Sequence, residues 1–167
     1  MIKLKNKSPS LLVIGDLMID QYFWGKSERI SPEAPVQVIN IDNETMVLGG
    51  AGNVINNLKV MGANVDVLSV IGNDENASKM KDLLNEINVS TKYLVAENNR
   101  ITSKKSRVIA SQQQVVRYDR ESSEEISKSS QNNILKTFKK IVINYDAILI
   151  SDYGKGVLSN ELTKLII

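Results

Sequence analysis

The sequence predicts a three-layer α/β fold with a mostly parallel sheet and a small antiparallel β excursion, and three observations point there. Residues 11–14, 65–71 and 147–150 are apolar runs with little polar alternation, the pattern of strands buried on both faces. Stretches with apolar residues at helical spacing separate them, as parallel strands require. A glycine-rich junction, Leu48-Gly49-Gly50-Ala51-Gly52-Asn53-Val54, joins a β-rich run to a helix.

The elements follow in order. Leu11-Leu12-Val13-Ile14 is stopped by Gly15. Residues 19–48 carry no helical period; they hold Gln21-Tyr22-Phe23-Trp24-Gly25, Ser31-Pro32-Glu33-Ala34-Pro35 and the alternating Val36-Gln37-Val38-Ile39-Asn40-Ile41. That segment reads as an antiparallel insertion, serving as a lid, a dimer surface or both, with a plain meander as the alternative. Its Tyr22, Phe23, Trp24, Val36, Val38 and Ile41 are more apolar surface than a free flap would carry. Val54, Ile55, Leu58 and Met61 mark a helix closed by Gly62. Residues 65–71 form the next strand, and Asp74 caps a helix whose stripe is Ala77, Met80, Leu83, Leu84 and Ile87. Residues 89–95 read as a short strand, and 105–110 with 114–119 as a hairpin around Ser111-Gln112-Gln113. Ile134, Phe138, Ile141 and Val142 mark a further helix before the strand at 147–150.

Composition removes several classes of function. The 167 residues are 42% hydrophobic, enough for one core. The net charge of +2 comes from interleaved signs, as in Lys79, Lys81, Asp82 and Glu86, which argues against a nucleic-acid-binding face. Without cysteine or histidine, disulfides, thiolate metal sites, imidazole ligands and histidine triads are excluded. No apolar run approaches the ~20 residues of a membrane span, and residues 1–10 are a short polar leader without a signal-peptide core. The expectation is a soluble, cytoplasmic protein with no membrane partner.

The polar residues collect at strand ends. Three glycines at the junction let a backbone approach a ligand, Asn53 both donates and accepts, and the first N–H groups of the helix favour oxygen-rich ligands. Asp16 and Asp20 follow the first strand, and Ser151-Asp152-Tyr153-Gly154-Lys155-Gly156 follows the last. Ligands of open α/β sheets gather outside the carboxyl ends of strands, so Asp20, Asn53 and Asp152 are expected in one cleft. Each acid alone is equally a cap or turn residue, and Lys155 an ordinary surface lysine.

These residues resemble the ribokinase-like carbohydrate kinases, in the amino-terminal half of that fold. Gly15-x-x-x-x-Asp20, Gly49-Gly50-Ala51-Gly52-Asn53 and the helix ending at Gly62 carry the general likeness. Residues 15–22, 29–36 (Arg-Ile-Ser-Pro-Glu-Ala-Pro-Val), Gln112-Gln113-x-x-x-Arg117-x-Asp119 and Ser151-Asp152-Tyr153-x-Lys155-Gly156 are similar to the subgroup acting on D-glycero-β-D-manno-heptose 7-phosphate. The likeness covers residues 11–158. It implies that Asp20, Gly50 and Asn53 hold sugar hydroxyls, with Gly49 bringing the backbone close. Asp152 would lie near the sugar and the phosphoryl path, and Lys155 would neutralise phosphate. Arg107 and Arg117, on the predicted hairpin, are candidates for the sugar's 7-phosphate, a solvated strand face being the alternative.

The likeness also implies ATP and Mg²⁺ as cofactors of the parent enzyme, with neither expected on residues 1–167, a sugar phosphate as substrate, and a homodimer through the β lid. The family's Gly-Ala-Gly-Asp segment, which carries the catalytic base and an anion hole, does not occur in these residues, nor does its Asn-x-x-Glu element. The expectation is therefore that residues 1–167 are the amino-terminal part of one kinase domain: no catalytic base, no nucleotide half, weak sugar binding and no turnover alone. A non-catalytic sugar-phosphate or dimerisation module, or a kinase for another sugar, stays open.

Overall fold

In the computed structural model, which describes residues 8–167, β1 (Ser10–Gly15) runs between β4 (Asn64–Gly72) and β8 (Ala147–Ser151), parallel to both. A short β5 (Leu94–Glu97) extends the sheet beyond β4, also in parallel. The first seven residues of the expected polar leader lie outside the described residues.

Alternation along these strands separates two apolar clusters. Val13, Val65 and Val67 pack with Ile55 of α1 (Ala51–Val60) and with Met80 and Leu84 of α2 (Glu75–Glu86). Leu12, Ile14, Leu68 and Val70 pack with Ile134 and Phe138 of α3 (Lys128–Ile141) and Leu162 of α4 (Asn160–Ile166). Helices cover both faces, which is why the strands read as continuous apolar runs. Each fully buried Leu or Ile contributes ~1.5–3 kcal/mol, so the stability of the chain resides here.

Helix ends follow local chemistry. Asp74, Ser127 and Ser159 each accept an N–H of the first turn with their side chains, at the starts of α2, α3 and α4. After α1 the chain turns at Gly62, φ +89°, with its N–H on the Lys59 carbonyl. The strand expected at 89–95 is displaced to Leu94–Glu97. Asn88 takes a positive φ of 56° after α2, the Val89 N–H returns to the Leu84 carbonyl, and Val89 is buried as a plug of the first cluster. Its burial, and not a ladder, accounts for its apolar character.

The lid differs from expectation in extent and composition. β2 (Leu17–Ile30) pairs antiparallel with β3 (Gln37–Gly50), so the insertion spans 17–50. The hairpin of β6 (Ser103–Ala110) and β7 (Gln113–Arg120) joins it, with β6 parallel to β2, making a mixed four-stranded sheet in the order β3-β2-β6-β7. Ser111 and Gln112, at φ +50° and +70°, form the two-residue turn, one residue shorter than the expected loop. Every residue of β7 is exposed, so this sheet lacks the double cover of the first. Among the described residues no helix is long and apolar enough to cross a membrane.

Candidate functional site

The rim of the parallel sheet is organised by one buried carboxylate. Asp16, 1% exposed, lies where β1 passes into β2. Its Oδ2 accepts the N–H groups of Tyr153 (2.8 Å) and Lys155 (3.1 Å), and its Oδ1 that of Val157 (3.2 Å). The Asp16 carbonyl accepts the Ala51 N–H at the start of α1 (2.9 Å). The glycine junction and the loop after β8 are thereby tied to the same residue, and three backbone donors satisfy a charge that burial would otherwise penalise.

Beside this rim opens a cleft of about 440 Å³. The lid contributes Asp20, Tyr22, Lys105, Arg107 and Arg117; the rim contributes Gly50, Asn53 and Tyr153. Gly50 sits at φ +55°, and a Cβ there would fall 2.6 Å from the Asp16 carbonyl oxygen. A Cβ on Gly49 would run into Asp20 Oδ2 and the Met18 side chain, so a glycine there lets the carboxylate lie against the backbone. No side chain caps α1 and no acid stands in its first turn, leaving its start open to an oxygen ligand; Asn53 stands exposed in that turn.

Cations dominate the lid wall, each with a carboxylate partner. Arg107 Nη1 donates to Asp20 Oδ1 at 2.6 Å and its guanidinium lies 5.2 Å from the Tyr22 ring centre. Arg117 binds Asp119 through Nε (2.9 Å) and Nη2 (2.6 Å). Lys105 Nζ reaches Asp119 and Glu121, each at 3.0 Å, and Lys155 Nζ reaches Glu121 at 2.7 Å. The Arg117 hydrogen bond, with Lys105 adding, holds the Asp119 carboxyl well below the ordinary carboxylate range. Burial opposes ionisation of Glu121, but hydrogen bonds from Lys155 and Lys105 outweigh it and lower its pKa. Burial likewise opposes the charge of Lys105, while Asp119 and Glu121 outweigh it and raise its pKa.

The structure brings Asp20, Gly50, Asn53, Arg107 and Arg117 to one cleft, with Gly49 beneath the Asp20 carboxylate. Asp20 follows β1, as expected, and stands on β2 inside the lid, which begins at Leu17. Asp152 is not on the wall: it is exposed and its Oδ1 accepts the Gly154 N–H (2.8 Å), a turn contact, while the neighbouring Tyr153 lines the cleft. Nor is Lys155, which borders a small crevice with Asp16, Arg100 and Thr102. Its carbonyl accepts from the Arg100 guanidinium, whose pKa burial lowers.

Sequence reasoning missed Lys105 and Tyr22 as wall residues and gave Asp16 no structural task. The signal for Lys105 was available: it shares a face with Arg107 at period 2. For Tyr22 and Asp16 the information is tertiary. Among the described residues no group of three or more His, Cys, Asp or Glu could hold a metal.

Comparison with known proteins agrees with the architecture. The chain is 59% identical over 162 residues to the bifunctional protein HldE of Aliarcobacter butzleri, covering 97% of this chain and 34% of the relative. It is 58% identical over 164 residues to that of Sulfurimonas denitrificans, covering 98% and 34%. The chain thus spans about a third of the length of these curated relatives. Among solved structures, a carbohydrate kinase from Agrobacterium tumefaciens matches with a TM-score of 0.61 at 18% identity, over 85% of this chain and 45% of that one. Arabidopsis thaliana ribokinase, solved with ribose and ATP, matches at 0.55 and 17%, over 86% and 45%. These two show the fold alone. The family model described as "pfkB family carbohydrate kinase" matches residues 8–166, and the chain belongs to that family of carbohydrate kinases.

Proposed function

We propose that this chain supplies the sugar-binding half and the lid of an ATP-dependent kinase for D-glycero-β-D-manno-heptose 7-phosphate. The kinase moves the γ-phosphoryl group of ATP to the anomeric hydroxyl, giving the 1,7-bisphosphate on the way to ADP-heptose and the lipopolysaccharide core. One observation carries the reading: a single cleft sets polyol-type groups beside three cations, in a chain 59% identical to a bifunctional protein HldE.

In this reading Asp20 accepts sugar hydroxyls, Asn53 donates and accepts, and the Gly49-Gly50 backbone lets the ring come close. Arg107 and Arg117, joined by Lys105, receive the 7-phosphate, since guanidinium forks match phosphate oxygens. Asp152, one residue from Tyr153, takes the family's acidic position near the sugar and the phosphoryl path, and Lys155, paired with Glu121, neutralises phosphate charge. Residues 1–167 form the amino-terminal part of one kinase domain. The nucleotide site and the general base belong to the remainder of the reading frame, as positioning and electrostatic stabilisation of phosphoryl transfer require.

The protein acts in the cytoplasm as a two-fold homodimer through the lid. That lid leaves Trp24, Val36, Ile41 and Val116 each at least 40% exposed, a surface suited to a second copy. Light scattering on the full reading frame should give the mass of two chains; a monomer would exclude the lid interface. An ATP-consumption assay with heptose 7-phosphate should show turnover for the full reading frame and background for residues 1–167. Absence of turnover from the full protein at saturating sugar phosphate would overturn the kinase assignment.

A further inference from the structure

One ion pair in the cleft joins two tasks that the proposed function keeps separate. Asp20 is the carboxylate that reading gives to the sugar, and Arg107 a cation it gives to the phosphate. They are bonded to each other at 2.6 Å, with both side chains 19% exposed. The other Asp20 oxygen lies against Gly49. Asp20 Oδ1 is therefore committed to Arg107, and only Oδ2 is left for a hydroxyl, so a pair of vicinal hydroxyls cannot engage both oxygens while the ion pair holds. Arg117 differs, because its partner is Asp119, which the sugar reading does not use. In the sheet register Arg107 stands directly opposite Arg117. Two like charges so placed are unfavourable unless an anion lies between them or each is drawn to its own carboxylate.

We propose that Arg107 is a specificity-determining exchange residue: a phosphate monoester on the substrate draws its guanidinium off Asp20 toward Arg117, and Asp20 is thereby released to bind the hydroxyls of the same molecule. A dianionic phosphate competes well for a guanidinium against a single carboxylate. The guanidinium lies 5.2 Å from the Tyr22 ring centre, a cation–π contact that keeps it at the cleft wall. A sugar without phosphate meets a carboxylate already engaged. Discrimination then exceeds what attraction between phosphate and two arginines supplies, because the same exchange changes the sugar end of the cleft. This proposal rests on the kinase reading above.

The test uses the protein from its full reading frame, with heptose 7-phosphate and unphosphorylated heptose as substrates, in the wild type, Arg107→Gln and Arg117→Gln. Both variants should raise KM for the phosphorylated sugar by roughly 10–100-fold, the loss expected for a charge-assisted contact. Only Arg107→Gln should lower KM for unphosphorylated heptose, by several-fold, since only it frees Asp20. In the wild type, millimolar inorganic phosphate should likewise tighten binding of unphosphorylated heptose, and Arg107→Gln should abolish that synergy. Arg107→Lys, which keeps a charge and guards against a folding defect, should give a smaller gain. A weaker or unchanged KM for unphosphorylated heptose in Arg107→Gln, with no phosphate synergy in the wild type, would overturn the exchange and leave the kinase reading standing. No use of either sugar by the wild type would overturn both.

Discussion

The rim of the parallel sheet and the face of the lid meet at one cleft, yet they are held by different kinds of contact. On the rim, Asp16 is gripped by backbone N–H groups of Tyr153, Lys155 and Val157. Backbone donors cannot leave without the loop unfolding, so this carboxylate is fixed. On the lid, Asp20, Asp119 and Glu121 are held by the side chains of Arg107, Arg117, Lys105 and Lys155. Side chains change partners by rotating about single bonds, with no cost to the ladder beneath them. A buried acid satisfied by backbone belongs to the frame, and a half-covered acid satisfied by a cation can take part in binding.

The sharpest way to break this contrast is Asp16→Ala. It leaves three N–H groups without their acceptor and should cost ~3 kcal/mol or more in chemical denaturation, with Asp16→Asn losing less because one acceptor oxygen remains. A loss under ~1 kcal/mol would mean that the loop after β8 holds itself. Asp20→Asn should show the reverse profile. Its melting temperature should stay close to the wild type while KM for heptose 7-phosphate rises roughly 10–100-fold in the full reading frame. A large fall in stability with KM unchanged would move Asp20 to the frame.

Acid titration gives the smallest effect and sharpens the lid side. Asp119 and Glu121 have pKa values lowered in the folded chain. Below the ordinary carboxylate range, at ~4, the unfolded chain binds protons that these two groups refuse. Their contribution is therefore present above that range and is lost as pH falls through it toward their folded values. Thermal melts should be flat from neutral pH to ~5 and decline below it. Asp119→Asn should make the decline shallower; an unchanged slope would show that the pairing is too solvent-screened to count.

The central strands β1 and β4 were legible in the chain because helices bury both their faces and leave apolar runs in the sequence, whereas the edge strand β5, with no buried residue, was misplaced. Caps and turns such as Asp74 and Gly62 were legible because their chemistry is local. The glycine junction declared a close backbone approach, and Gly49 and Gly50 indeed leave no room for a Cβ. What only the tertiary structure decided is the partnership of distant segments. The 103–120 hairpin docks in parallel on β2, from which Lys105 and Arg107 reach the cleft beside Asp20. Parallel pairing is specified by contacts far apart in sequence, so no local pattern announces it. The separation of Asp16 from Asp20 has the same origin: four residues apart and of one type, they differ in whether the donors that reach them belong to a backbone or to a side chain.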